Sequence, residues 1–200
     1  MQPQDFLLCQ HLFTRMCHDL AGLSGNTALG LEMAAEAASS GADPAAPLAL
    51  AATSAKQTVA RVKFFRAAMG REGPITGASS ASACVRDYLA TLDNGDALRF
   101  GLDWRYEETA YDRLRLGLVG VLALTGALPR GGHIEVDGDA DSLRLTARGA
   151  AARFAPPPAD MAEADPKTAV GALLRELAAM LGGKVEAKTS ADSCSLFIHF

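Results

Sequence analysis

His18 is the residue of this sequence best placed to do chemistry. It lies in a segment, residues 6–39, whose apolar residues recur at helical spacing and predict one long amphipathic helix. Those residues are Leu8, Leu12, Met16 and Leu20, followed by Leu23, Leu31 and Ala34. At roughly 100° per residue, His18 lies about 200° from its neighbours in that stripe, so its imidazole points to solvent. Imidazoles are largely neutral near pH 7, because their ordinary pKa is about 6.5, and the free nitrogen attacks phosphorus without a strong base.

The residues around His18 extend this candidate site. Asp19 either orients the imidazole or accepts its departing proton, and the face of His18 also carries His11, Arg15, Gly22 and Gly25. A glycine on a helix surface costs on the order of 1 kcal/mol relative to alanine. Bare backbone there lets a partner protein come close, and close helix packing inside a bundle is the alternative explanation. Arg15 either neutralises phosphate charge or is ordinary solvated surface, and an exposed helical histidine is itself often just a surface residue.

Composition limits the classes of partner and site. The chain has 200 residues, 49% of them hydrophobic, and a net charge of -4, which gives no reason to expect binding to nucleic acid or to an acidic membrane. The longest apolar run, residues 116–128, falls short of the roughly 20 residues that span a bilayer, and the N-terminal segment does not resemble a signal peptide. This predicts a cytoplasmic location, and four cysteines without CxxC spacing predict reduced thiols. Cys9 and His11 lie about 200° apart on the helix, so no metal site is expected there.

The elements that position His18 begin with a helical hairpin. A turn at residues 39–44 contains glycine, aspartate and proline, and a second helix is predicted from Ala45 to Met69, ending at Gly70. Because the connection is short, the two helices are expected to pack antiparallel. A stripe on the second helix is left over, formed by Val59, Val62, Phe65 and Met69. A second copy of the chain would bury it in a four-helix bundle, which predicts a homodimer.

The rest of the chain predicts a second domain of mixed structure. Residues 71–82 are rich in glycine and serine and are expected to link a domain at 1–70 to a domain at 83–200. Helices are expected at 83–92, 111–128 and 168–181, a strand at 98–106, and hairpins at 133–148 and 184–200, with a proline-rich loop at 155–158. This order favours one mostly antiparallel sheet covered by helices on one face, an α/β sandwich. The whole chain is therefore expected to be α+β.

Several segments resemble one protein family in the same order along the chain. Residues 16–23 (MCHDLAGL) resemble the H-box of histidine-kinase dimerisation domains, and residues 17–33 resemble more specifically the ChpT-type histidine phosphotransferases of alphaproteobacteria. Residues 61–70 (RVKFFRAAMG), 128–132 (LPRGG) and 178–183 (AAMLGG) are similar to further segments of that family. Leu23 stands where the H-box usually has a proline, whose absence leaves the helix straighter.

The resemblance implies a degenerate ATPase-like domain. Residues 118–125 contain neither the asparagine nor an acid with which a histidine kinase helps to hold Mg-ATP. The loop that reads adenine with an aspartate corresponds to residues 147–151 (ARGAA), and prolines replace the glycine-hinged lid. We therefore expect the ATPase fold without ATP binding and no cofactor of the chain's own.

Without ATP, the resemblance implies that His18 accepts its phosphoryl group from an aspartyl phosphate on the receiver domain of a hybrid kinase and passes it to a response regulator. The receiver would supply Mg²⁺. Lys63 and Arg66, with Lys56, either complement an acidic receiver or are a solvated helix face. Two alternatives stay open: a non-catalytic dimeric adaptor that docks response regulators, and a functioning ATP-dependent kinase with unusual motifs.

Overall fold

A computed structural model of the chain describes residues 3–70, 73, 75–93, 99–156, 165 and 168–200. The fold is α+β, as expected from the sequence. The helices are α1 (Pro3–Ser40), α2 (Ala45–Met69), α3 (Ala78–Ala90), α4 (Tyr111–Thr125) and α5 (Ala169–Met180). The strands are β1 (Phe100–Trp104), β2 (Gly132–Gly138), β3 (Ser142–Arg148), β4 (Lys184–Thr189) and β5 (Ser193–His199). Within these described ranges, no helix is both long and apolar enough to cross a membrane.

The first two helices form the predicted antiparallel hairpin. Gly41 ends α1 with a positive φ of 74°, a left-handed conformation that favours glycine. The Oδ1 atom of Asp43 then accepts the amide of Ala45 at 2.9 Å, at the start of α2. Further along the hairpin, a Cβ added to Gly30 would lie 2.9 Å from main-chain atoms of Pro47 and Ala51. Helix packing therefore requires a glycine at position 30.

A single mixed sheet forms the second half of the chain. Its strand order is β1-β2-β3-β5-β4; β1 and β2 run parallel, and the other neighbours run antiparallel. The buried face is formed by Ile134, Val136, Leu143, Leu145, Leu196 and Ile198. α4 and α5 pack on this face, whereas the other face carries charged pairs such as Arg144 with Asp137 at 2.9 Å. The predicted sheet with helices on one face is confirmed.

The hairpin and the sheet are joined through α4, whose leucines and valines between positions 114 and 124 are all fully buried. Tyr111 of α4 donates its hydroxyl hydrogen bond to the carbonyl of Ala67 at 3.0 Å. Arg115 donates to the carbonyls of Ala68 at 3.0 Å and Met69 at 3.3 Å. These bonds satisfy carbonyls in the last turn of α2, which have no partner within the helix. The end of the hairpin is therefore held by the helix at the centre of the second half.

The apolar stripe of α2, which was predicted to be buried by a second copy of the chain, is partly buried and partly exposed in the structure. Phe65 is 3% exposed and Met69 packs against the same core, so both are covered within one chain. Phe64 beside them stacks on the ring of Tyr88 with 3.9 Å between centroids. Val59 and Val62, in contrast, are exposed. The prediction that all four residues need a partner copy was wrong, because α3 and α4 lie against the end of α2.

Several predicted boundaries differ from the structure. α3 begins at Ala78 rather than at residue 83, so part of the predicted linker is helical; Ser80 accepts the amide of Thr76 at 2.8 Å at this helix start. α4 ends at Thr125, before the expected residue 128, and β1 is shorter than the predicted strand 98–106. Residues 71, 72, 74, 98, 157 and 158 of the predicted linker, strand and loop lie outside the described residues. The division into two domains stays a prediction.

Candidate functional site

His18 lies in the middle of α1 with its side chain 88% exposed. The Nδ1 atom faces the Oδ1 atom of the adjacent Asp19 at 3.5 Å. Because Nε2 lies on the opposite edge of the imidazole, the nitrogen that does not face the carboxylate is the one open to a partner. The geometry leaves this ring nitrogen available as a nucleophile or proton acceptor.

Asp19 and Arg15 lie beside His18 but are much less exposed. The Oδ2 atom of Asp19 is 4.0 Å from the Nε atom of Arg15, and their side chains are 26% and 22% exposed. Arg15 also lines a cleft of about 370 Å³ together with Gly126 just after α4, Arg153 in the loop after β3 and Val170 of α5. Arg15 therefore belongs to the junction between α1 and the second half of the chain.

The first residues of the apolar stripe of α1 face that second half, whereas the sequence predicted that this stripe is buried with that of α2 by a second copy. Leu31 of the same stripe is exposed. Leu12, Met16 and Leu20 pack against the main hydrophobic core. Closer to the start of α1, Leu8 forms a small buried cluster with Ala169 and Ala172 of α5. The helix that carries His18 is thus fixed along one side by the second half of the chain, and its opposite side faces solvent.

Gly22 and Gly25 leave bare backbone close to His18. A Cβ added to either glycine would have no atom within 4 Å, in contrast to Gly30. Close packing within the chain therefore does not account for these two glycines. The open surface around them is one that another protein can approach closely.

Arg61 connects the turn of α1 that follows His18 to α3. Its Nη1 atom donates to the backbone carbonyl of Asp19 at 2.6 Å. Its Nε and Nη2 atoms donate to the hydroxyl and the carbonyl of Thr91, each at 2.9 Å. Tyr88 lies close to Arg61. Burial raises the pKa of the Tyr88 hydroxyl, and a hydrogen bond with Thr125 opposes that rise. Sequence reasoning assigned Arg61 no role, although its spacing of four from Phe65 places it on the packed side of α2.

The comparison with known families decides the identity of this arrangement. A family model described as the histidine phosphotransferase C-terminal domain matches residues 80–193. The chain belongs to the histidine phosphotransferase family. A search of curated proteins found no match for it.

One solved structure shares its fold with the whole chain. A bacterial phosphotransferase solved at 1.7 Å superposes with a TM-score of 0.73 at 23% identity, covering 100% of this chain and 98% of that one. The histidine kinase domain of a blue-light activated kinase from Erythrobacter litoralis EL346 gives 0.45 at 10% identity, covering 92% and 91%. The Acinetobacter baumannii histidine kinase AdeS gives 0.41 at 8% identity, covering 76% and 80%.

The two basic residues predicted on α2 of this histidine phosphotransferase are not brought to His18. Lys63 is about 200° from Phe65, which is buried, so it points away from the packed side of the helix. It lines a groove between α2 and α3 with Lys56 and Asp87. Arg66 is exposed near the end of α2. Of the predicted partner-binding residues, the structure gathers Arg15, Gly22 and Gly25 on the turns of α1 around His18.

The segments in which the sequence resemblance implied a degenerate nucleotide site contain buried apolar side chains and a tight turn. Leu118, Leu122 and Leu124 of α4 are fully buried in the core. The predicted turn at 129–132 is confirmed: Gly131 and Gly132 have φ of 73° and 152°, where a side chain would be strained. No group of three or more metal-binding side chains lies together in the part of the chain that the structure describes.

Proposed function

We propose that this protein is a phosphorelay histidine phosphotransferase that acts through His18. It accepts a phosphoryl group from an aspartyl phosphate on the receiver domain of a hybrid kinase and passes it to the receiver domain of a response regulator. The observation that carries the proposal is the 88% exposed imidazole of His18, held with Nδ1 toward Asp19 on the solvent side of a packed helix. Membership of the histidine phosphotransferase family supports the reaction class.

The chemistry uses the two ring nitrogens differently. Nε2 attacks the phosphorus of the aspartyl phosphate, so a P–N bond forms while the P–O bond breaks and its electrons return to the receiver carboxylate. Nδ1 keeps its proton, and the carboxylate of Asp19 stabilises the positive charge that develops on the ring. In the second step an aspartate oxygen of the next receiver attacks phosphorus, and the electrons of the P–N bond return to Nε2.

Charge neutralisation and close approach come from both partners. The receiver supplies Mg²⁺ to the phosphoryl oxygens, since α1 offers no set of metal ligands of its own in the described residues. Gly22 and Gly25 let the receiver come close to α1. Arg15, which lies beside Asp19 on α1, contributes positive charge, and Lys63 and Arg66 contribute to longer-range attraction of an acidic receiver.

The proposed reaction needs no ATP. Support comes from α4, which directs leucine and valine side chains into the core where a kinase needs an asparagine and a metal. Free cysteines agree with a reducing compartment, and we place the relay in the cytoplasm.

We also propose that the protein is a homodimer held by its helical hairpins. Large apolar side chains remain exposed on α2 at helical spacing, namely Leu48, Val59 and Val62, and Leu31 is exposed on α1. Burying such side chains is favourable by on the order of 1 to 3 kcal/mol each. A second hairpin would cover them in a four-helix bundle. Light scattering measures the mass in solution, and a monomer at micromolar concentration would rule this bundle out.

The reaction is tested with isolated receiver domains labelled on aspartate by radiolabelled acetyl phosphate. Label is expected to move to the wild-type protein and to His11→Ala, the matched control that removes the other histidine of α1, but not to His18→Ala. Labelled ATP is expected to give no phosphohistidine. Binding of receivers without any transfer would support the adaptor alternative, and labelling from ATP would show a functioning kinase.

A further inference from the structure

We propose that Arg61 is a positioning residue for phosphoryl transfer at His18, and that through it the C-terminal domain sets the orientation of the phosphoacceptor helix. The inference rests on the proposed function of His18. It is carried by three hydrogen bonds from one guanidinium group to two separate elements, the backbone of α1 at Asp19 and the end of α3 at Thr91.

The bond to α1 is placed at the reacting turn. Nη1 of Arg61 donates at 2.6 Å to the carbonyl of Asp19, the residue that follows His18 and faces its Nδ1 atom. A charged donor makes this bond stronger than one between neutral groups. It fixes main chain rather than a side chain, so the direction of the His18 Cα–Cβ bond is fixed with it.

The glycines of α1 explain why the hydrogen bond from Arg61 to Asp19 matters. Gly22 and Gly25 follow His18 within two turns, have open space around them and weaken the helix. Their bare backbone suits close approach of a receiver, but it also permits bending of the segment that must present Nε2 in line with phosphorus. A hydrogen bond from α2 at Asp19 limits that bending without covering the exposed face.

The bonds to α3 tie this anchor to the second half of the chain. Thr91 follows the last residue of α3, and its carbonyl and hydroxyl both accept from Arg61. A cation at this position interacts favourably with the negative end of the helix dipole. The hydroxyl of Thr91 in turn donates to the carbonyl of Tyr88 at 2.7 Å. Movement of α3 therefore reaches the turn of His18 through one side chain.

An arginine that only stabilises the fold should leave the transfer rate unchanged when it is replaced, and the chain provides such a residue as a matched control. Arg115 also donates to two backbone carbonyls, those of Ala68 and Met69, but at the junction of α2 and α4. Arg115→Gln removes bonds of the same kind without touching the turn that carries His18. Arg61→Lys keeps the charge on a single ammonium nitrogen but loses the planar fork of donors that spans two elements.

The experiment measures the melting temperature, the maximal rate of transfer from a phosphorylated receiver to His18, and the receiver concentration at half-maximal rate. It also measures amide hydrogen exchange over residues 16–23. For Arg61→Gln we expect a maximal rate about tenfold lower, a half-saturating concentration within about twofold of wild type, and faster exchange in that segment. Arg61→Lys is expected to recover part of the rate. Arg115→Gln is expected to melt earlier and to transfer at the wild-type rate.

The outcomes separate this inference from the function on which it rests. A wild-type protein that takes no label from any receiver contradicts the proposed function. If the wild type transfers and folded Arg61→Gln transfers equally fast, only the positioning role is overturned. Equal losses of rate in Arg61→Gln and Arg115→Gln would also overturn it, because general stability would then account for both.

Discussion

The Nδ1 atom of His18 and the Oδ1 atom of Asp19 face each other at 3.5 Å on adjacent residues of α1. The same carboxylate also lies 4.0 Å from Arg15. Ion pairs and hydrogen bonds at such distances on a helix surface contribute little to folding stability, typically about 0 to 1 kcal/mol. Their consequence is instead the choice of tautomer, since a carboxylate favours the proton on the nitrogen that it faces.

Asp19→Asn tests that role. The amide cannot stabilise the positive ring that forms on phosphorylation, so we expect transfer to slow by roughly tenfold. The melting temperature is expected to change little. Glu32→Gln, an exposed carboxylate on the same helix, is the control and should transfer at the wild-type rate. Unchanged transfer by Asp19→Asn would show that Asp19 neither orients nor stabilises the imidazole.

Two glycines of α1 are expected to respond to alanine with opposite signs of stability. Gly22→Ala should raise the free energy of unfolding by about 1 kcal/mol, because the added Cβ meets open space and alanine favours the helix. Gly30→Ala should lower it by about 2 kcal/mol, because its Cβ would lie 2.9 Å from Pro47 and Ala51. Urea unfolding measures both changes.

The rate of transfer from a phosphorylated receiver tests the role of Gly22 in docking. Gly22→Ala is expected to slow transfer several-fold in spite of its greater stability, since a methyl group then stands on the surface that the receiver must approach. A stabilised Gly22→Ala with wild-type transfer would show that the bare backbone at position 22 has no part in docking.

The four cysteines are expected to react with iodoacetamide in two groups. Burial raises the pKa of the Cys84 and Cys194 thiols to about 11, so roughly a thousandth of each is thiolate at pH 8. Cys9 and Cys17 are exposed. We expect these two to be modified first in the folded protein, as measured by peptide mass spectrometry, and all four to react in urea. Rapid modification of Cys84 in the folded state would contradict the packing of α3.

Glu108 is expected to make the free energy of unfolding fall at acidic pH. Its carboxylate accepts the amides of Ala110 at 2.9 Å and Thr109 at 2.7 Å and lies 3.5 Å from Arg113. These bonds, that of Ala110 foremost, lower the pKa of Glu108 below its ordinary value of 4.5. The stabilisation is therefore complete above the unfolded pKa and is lost as pH falls through the lower folded pKa.

Glu108→Gln should remove that contribution, so the variant is less stable than wild type at pH 7 and the gap narrows below about pH 4. Thermal melts across this range measure the effect. Glu107→Gln, the exposed neighbour, is the control and should follow the wild-type profile. A gap that stayed constant with pH would mean that the carboxylate of Glu108 makes no charge-dependent contribution.

Much of the fold was predictable because local signals were strong. The glycine, aspartate and proline before Ala45 and the glycine after Met69 define α2 at both ends, and the structure has it at those residues. The alternation of apolar residues around 133–148 predicted the hairpin of β2 and β3. The exposure of His18 followed from helical periodicity alone, because the apolar stripe on the opposite side of α1 packs on the core.

Other features depend on contacts between residues far apart in the sequence, which local patterns do not predict. The composition of residues 71–82 is typical of a loop, yet tertiary packing makes its last residues the start of α3. Phe65 has the spacing of a dimer contact but meets Tyr88 of its own chain. The role of Arg61 depends on Thr91, thirty positions away, and on Asp19, which no local pattern connects.

The cluster that Leu8 forms with Ala169 and Ala172 has a consequence for how the protein is made. During translation Leu8 leaves the ribosome long before Ala172 is synthesised, a delay of roughly ten to thirty seconds at ordinary elongation rates. For that time the apolar side of the nascent first helix has no cover from α5. The chain is therefore expected to depend on chaperones early in its synthesis, and truncated products are expected to aggregate rather than accumulate as working fragments.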